Sequence, residues 1–191
     1  MGVDIHVRVC KYNPETNFFE ELSLYRPRKE DEKYKYTYNE EKQDWVKEEI
    51  SDPYIKISPY DERNYEMFEG MKEGGEDDGY GFFPITSISL PSLEPGLRKE
   101  IKECIETSGY YDFFEITLAD INSYLASHPT VVDYESEEWE NRRRGDPKPQ
   151  KHNPIHGFFQ RCYNYIELAE RYGIDSDTPL SRYKVLFWFD R

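Results

Sequence analysis

Near the carboxyl end, Tyr183-Lys184-Val185-Leu186-Phe187-Trp188-Phe189 is apolar at every position from Val185 onward. Successive side chains of a strand point to opposite faces, so this segment has no polar face to give to water. A strand of that kind belongs in the interior of a sheet. The opening segment complements it. Val3, Ile5, Val7 and Val9 alternate with Asp4, His6, Arg8 and Cys10, a period of two that marks a strand with one buried side. The two runs together predict an α+β domain with an antiparallel or mixed sheet. Its terminal strand, over 182–190, lies centrally beside the first, and helices pack on one face.

Between the ends the chain changes character. Asn13-Pro14-Glu15-Thr16 is a turn signal, and Phe18 to Tyr25 reads as the return strand. Tyr34, Tyr36 and Tyr38 alternate with Lys35 and Thr37; Asn39–Lys42 turns, and Trp45, Val46 and Ile50 come back. Tyr54-Ile55-Lys56-Ile57 adds a short strand, so 1–58 reads as mainly a β meander. Residues 59–175 read as mainly helical, with loops at 73–81 and 142–153. Tyr65, Phe68 and Met71 recur at helical spacing. Leu97, Ile101, Cys104 and Ile105 mark a second helix. Thr117 to Asp120 forms a capping box, with Asp120 in place of the usual Glu and Ile121, Tyr124 and Leu125 facing inward. Asn153-Pro154 is an N-cap followed by proline at the first helical position. It opens a stripe of Phe158, Phe159, Cys162, Tyr163, Ile166 and Ala169. The whole of 1–191 is read as a single domain.

Charge narrows the partners. The 191 residues carry a formal net charge of −14, and such a field repels nucleic acid and anionic membranes. It suits solubility or a basic partner surface. The excess runs through the chain: residues 1–80 hold 21 acids against 12 bases, and the remainder 18 against 13. Aromatics make up 16% of residues, with 17 Tyr and 11 Phe, which supply core area and argue against a disordered chain. Cys10, Cys104 and Cys162 have no paired spacing and fit reduced thiols. With neither an apolar span nor a secretory leader read, a soluble intracellular protein is expected, with no membrane partner.

Four motifs occur in order: Met1-Gly2-Val3-Asp4-Ile5-His6, Arg63-Asn64-Tyr65-Glu66-Met67-Phe68, Ile116-Thr117-Leu118-Ala119-Asp120-Ile121 and Val185-Leu186-Phe187-Trp188-Phe189-Asp190. Together they resemble a family of uncharacterised proteins encoded by bacteriophages and prophages. Such proteins typically open MG-x-DIH and close on a strand like VFWFD. The chain departs from that pattern after Pro84-Ile85, where Ser89-Leu90-Pro91 follows, and at Tyr111-Asp112-Phe113-Phe114, where the family often has His-Ser. The resemblance implies a phage context and a host bacterial cytoplasm, and no mechanism.

The chemistry-bearing candidates begin with Asp4 and His6. Two positions apart on a strand, they leave one face about 7 Å apart at the backbone. Carboxylate and imidazole can converge on a divalent ion as in metal-dependent phosphoesterases, with Asp190, His128, His152 or His156 completing the set. The other readings are a polar network of Asp4, His6 and Arg8 on one sheet face, which the pattern favours, and a plain surface. No cofactor is expected apart from such a divalent metal. His6, Arg8, Arg63 and Tyr65 are the expected contacts to a bound partner. His152 and His156 share the spacing of zinc helices, but Pro154 puts His152 ahead of the helix. Glu76-Asp77-Asp78 lacks the spacing of a calcium loop. Arg142-Arg143-Arg144 with Lys148 and Lys151 is offset by Glu135, Glu137, Glu138 and Glu140. The leading expectation is an accessory binding protein that occupies a host protein or a small ligand, inhibiting a host defence system. The alternatives are a metal-dependent hydrolase using Asp4 and His6, and a protein that sequesters a small molecule or nucleotide.

Overall fold

The computed structural model describes residues 4–60, 86–108, 113–133, 150–170 and 178–190. In chain order its strands are β1 (Asp4–Asn13), β2 (Phe18–Glu21), β3 (Tyr25–Pro27), β4 (Tyr34–Asn39), β5 (Asp44–Glu49), β6 (Tyr54–Lys56), β7 (Thr86–Ser87), β8 (Phe113–Thr117), β9 (Val131–Asp133), β10 (Gln150–His152) and β11 (Tyr183–Asp190). Its described α-helices are α1 (Pro95–Ser108), α2 (Leu118–Ser127) and α3 (Pro154–Ala169). The expected helix around Tyr65 and the loop at 73–81 lie outside the described residues. The chain divides into two compact units. One joins Met1–Leu22 to Pro59–Arg191, and the other is the inserted stretch Ser23–Ser58.

The first unit is built on a five-stranded sheet in the order β2-β1-β11-β8-β7, each neighbouring pair antiparallel. The apolar run at the carboxyl end is its middle strand. Val185, Leu186 and Phe187 are fully buried, as a segment without a polar face requires. β1 lies beside it in the register His6↔Trp188, Arg8↔Leu186 and Cys10↔Lys184.

Helices cover both faces of this sheet rather than one. On one face Cys10, Phe113, Leu186 and Trp188 cluster with Leu97 and Ile101 of α1. On the other, Phe187 meets Phe158 of α3 edge-on, with ring centroids 5.5 Å apart. The reason is already in β11, whose even and odd side chains are both apolar and both need cover.

The helix stripes depart from the expected lists by rotation. Each residue turns 100°, so Ile105 lies some 80° from Leu97 and is 37% exposed. In α3 the buried tyrosine is Tyr165, not Tyr163, because Tyr163 falls off the opposite edge of the stripe through Phe158, Cys162 and Ile166. The two N-caps form as read. Thr117 accepts from the Asp120 amide at 3.2 Å, but the Asp120 carboxylate takes the Thr117 hydroxyl rather than its backbone N–H, so the cap forms without the reciprocal half of the expected box. Asn153 accepts from the Ile155 and His156 amides, each at 3.1 Å.

The expected loop at 142–153 ends in structure: Gln150–His152 pairs antiparallel with Val131–Asp133. The meander at 1–58 is also redistributed. The return strand stops at Glu21, and Tyr25 begins a ribbon of the second unit. Alternation runs on through Leu22 and Leu24, so periodicity alone does not register this change of partner.

Candidate functional site

The sheet face covered by α1 carries the residues singled out from the sequence. Residues opposite one another in an antiparallel pair share a face, so the register collects His6, Arg8, Cys10, Lys184, Leu186 and Trp188 there, with Phe113 and Glu115 from β8. The His6 ring lies against Trp188, with centroids 5.3 Å apart and planes 15° from parallel. Trp188 in turn stacks on Phe113 at 5.5 Å. Arg8 places its guanidinium carbon 5.6 Å from the Trp188 centroid. It pairs with Glu100 of α1 at 2.7 Å and with Glu21 of β2 at 3.2 Å. One cation thereby ties strand, neighbouring strand and helix.

A second pair sits further along the same face. Lys184 Nζ meets Glu115 Oε1 at 2.6 Å, with side chains only 14% and 11% exposed. The other carboxylate oxygen accepts from the Ser89 amide at 2.9 Å. Lys184 also lies 4.6 Å from the Phe19 ring centroid. Cys10 is buried here, and its thiol is pushed far up, first by burial and then by the charge of Glu21. Such a thiol is a poor nucleophile. Cys162 is raised by burial as well.

The metal reading of Asp4 and His6 depends on a third ligand. The register sets Asp4 opposite Asp190, and His6 follows two residues along β1, so the three positions share one sheet face. The side chains of Asp4 and Asp190 lie outside the described residues. Among the described residues no group of three or more metal-ligating side chains comes together. Arg63 and Tyr65 lie outside the described residues, as do Glu76–Asp78, Arg142–Arg144 and Lys148.

The remaining histidines gather elsewhere. His128, at the end of α2, stacks on Tyr124 at 4.1 Å, and its Nδ1 lies 2.9 Å from Ser127 Oγ. His156, in the first turn of α3, has its pKa lowered chiefly by burial and further by the charge of His128. His152 stands in β10 opposite Val131, so it shares no helix with His156. Asn153 joins this cluster by donating to the Tyr124 hydroxyl at 2.9 Å.

Sequence reasoning missed the Glu115–Lys184 pair. Its one signal was an acid inside the apolar run Phe113 to Ile116. Along the β1–β2 hairpin a groove of about 280 Å³ is lined by Lys11, Tyr12, Asn13, Pro14, Glu20, Glu21 and Leu22. It falls just below the range of about 300–1,000 Å³ usual for sites that enclose a drug-sized ligand. Comparison of the chain with protein-family models, curated proteins and solved structures returned no match.

Proposed function

We propose that this chain is an acidic binding protein of phage or prophage origin, acting in the host bacterial cytoplasm. There it occupies a basic surface on a host protein and so blunts a defence system. The observation that carries the reading is how charge is divided. The inserted unit at 23–58 holds nine acids and eight bases, a net of −1, which leaves −13 to the other unit. A field concentrated in that way speeds encounter with a cationic surface and repels nucleic acid. The phage context rests on the four ordered motifs. Internal pairing of Arg8 with Glu21 and Glu100, and of Lys184 with Glu115, is consistent with a framework role for those cations. The test is affinity capture from host lysate over rising salt. A specific partner released by a few hundred millimolar salt supports the reading, and absence of any partner even at low salt overturns it.

A second reading has one observation in its favour, the shared face of Asp4, His6 and Asp190. It is a hydrolase that holds a divalent ion between the two carboxylates and the imidazole, the ion activating water. Elemental analysis and manganese or zinc titration of the purified protein test it. Stoichiometric metal lost in the Asp4→Ala/His6→Ala double variant supports this reading, and identical metal content in both proteins removes it.

A further inference from the structure

The unit at 23–58 is one interrupted β-ribbon. The Ile57 amide donates to the Leu24 carbonyl at 2.8 Å, β3 pairs with β6, the Arg28 amide donates to Pro53 at 2.9 Å, the Ile50 amide to Lys33 at 2.8 Å, and β4 pairs with β5 out to Asn39↔Asp44. The turn Glu30–Glu32 is the interruption, held by Arg26, which reaches both Glu32 oxygens at 2.6 Å. A two-stranded ribbon is marginal alone in water, yet this one leaves its aromatics uncovered. Of the seven large hydrophobic side chains exposed among the described residues, five belong to it: Tyr25, Tyr36, Tyr38, Trp45 and Tyr54.

The register Tyr36↔Lys47 and Tyr38↔Trp45 puts Tyr34, Tyr36, Tyr38 and Trp45 on one face of the outer hairpin. The opposite face carries the Lys35–Glu48 pair at 2.7 Å. On the aromatic face Lys47 Nζ sits 3.6 Å from the Tyr34 centroid, so one ring of this face already accepts a cation. Tyr36, Tyr38 and Trp45 are respectively 59%, 47% and 63% exposed. Among the described residues β4 and β5 pair only with each other, so each strand offers one open edge.

We infer that this hairpin is the gripping surface for the partner proposed above, and that it takes an extended segment of a basic protein as an added strand. The inference rests on that reading of the protein as a binder of basic surfaces. An added strand points alternate side chains at the aromatic face, where arginine or lysine stacks on Tyr36, Tyr38 and Trp45. Charge selects this occupant. The −13 unit tethered at both ends of the ribbon draws a cationic chain and repels a second copy, a nucleic acid or an anionic membrane, while the near-neutral ribbon lets aromatic contact form.

The experiment uses the full chain and a fluorescent acetyl-(Arg-Val)5-amide peptide, read by anisotropy at 150 mM salt. A (Glu-Val)5 peptide, a dT10 oligonucleotide and phosphatidylserine vesicles are the comparison probes. The inference expects binding of the Arg-Val peptide alone. The triple variant Tyr36→Ser/Tyr38→Ser/Trp45→Ser should bind it at least tenfold more weakly, and Tyr36→Phe/Tyr38→Phe/Trp45→Phe should stay within about threefold. Chemical-shift mapping on the unaltered chain should place the perturbed amides within 34–49. Equal affinity of the serine variant, perturbations confined elsewhere, binding of dT10 or vesicles, or self-association abolished by the serine variant each overturns it. A host partner captured equally by wild type and serine variant would refute this surface while leaving the binding function standing. Capture of no partner at all would refute the function itself.

Discussion

Lys184→Met probes the ion pair that the sheet keeps from water. The lysine and Glu115 are only 14% and 11% exposed at 2.6 Å, so removing the cation leaves a carboxylate with one remaining donor, the Ser89 amide. Truncating one partner of such a pair costs about 3–5 kcal/mol, most of it the burden of the orphaned charge. With a urea slope of about 2 kcal/mol/M, that loss moves the unfolding midpoint down by about 1.5–2.5 M. The double variant Lys184→Met/Glu115→Gln should recover most of the loss. The amide oxygen still accepts from Ser89 and no charge remains to desolvate, so a deficit of about 1–2 kcal/mol is expected. Urea titration followed by far-ultraviolet circular dichroism measures both. A single-variant shift below about 0.3 M, or a double variant less stable than the single, would refute the reasoning.

Asn153→Ala removes a cap that accepts two helix amides and donates to the buried Tyr124 hydroxyl, so a loss of about 2 kcal/mol or somewhat more is expected by thermal or urea unfolding. In native protein a thiol reagent should label Cys104 first, with Cys10 and Cys162 reacting only on unfolding, because both are fully buried; mass spectrometry of the labelled protein reads the order. Hydrogen bonds from Arg26, and then from the Lys29 amide, hold the Glu32 carboxyl down at about 2. A depressed acid stabilises above its unfolded value, near 4.5, and that stabilisation is lost as pH falls towards 2. The ribbon amides around 26–32 should therefore lose protection over that window, and carboxyl-carbon NMR of Glu32 reads the midpoint directly.

Much of this fold was legible in particular residues. Val185 to Trp188 could only be a central strand, and the alternation Ile5, Val7, Val9 supplied its neighbour. Asn153-Pro154 and Thr117 set their helix starts because capping is local chemistry. Partner choice was not legible. Leu22 and Leu24 alternate identically whether the chain stays in the sheet or leaves it, and only the ladder records the departure. The same insertion hid the charge division, since counting by sequence halves mixes the near-neutral 23–58 with its acidic flanks. Coverage of both sheet faces, where one was expected, answers to β11 being apolar on each side. Glu115 with Lys184 was invisible because they lie 69 residues apart and meet only through the β8–β11 register.

Residue-resolved hydrogen exchange on the full chain tests the division into a closed sheet and an uncovered ribbon. The amides of Val185–Trp188 should exchange only by global unfolding, while those of Tyr34–Glu49 open locally, orders of magnitude faster, and slow when a partner binds. Protection of the ribbon equal to that of β11, or early exchange in β11 itself, would contradict the account.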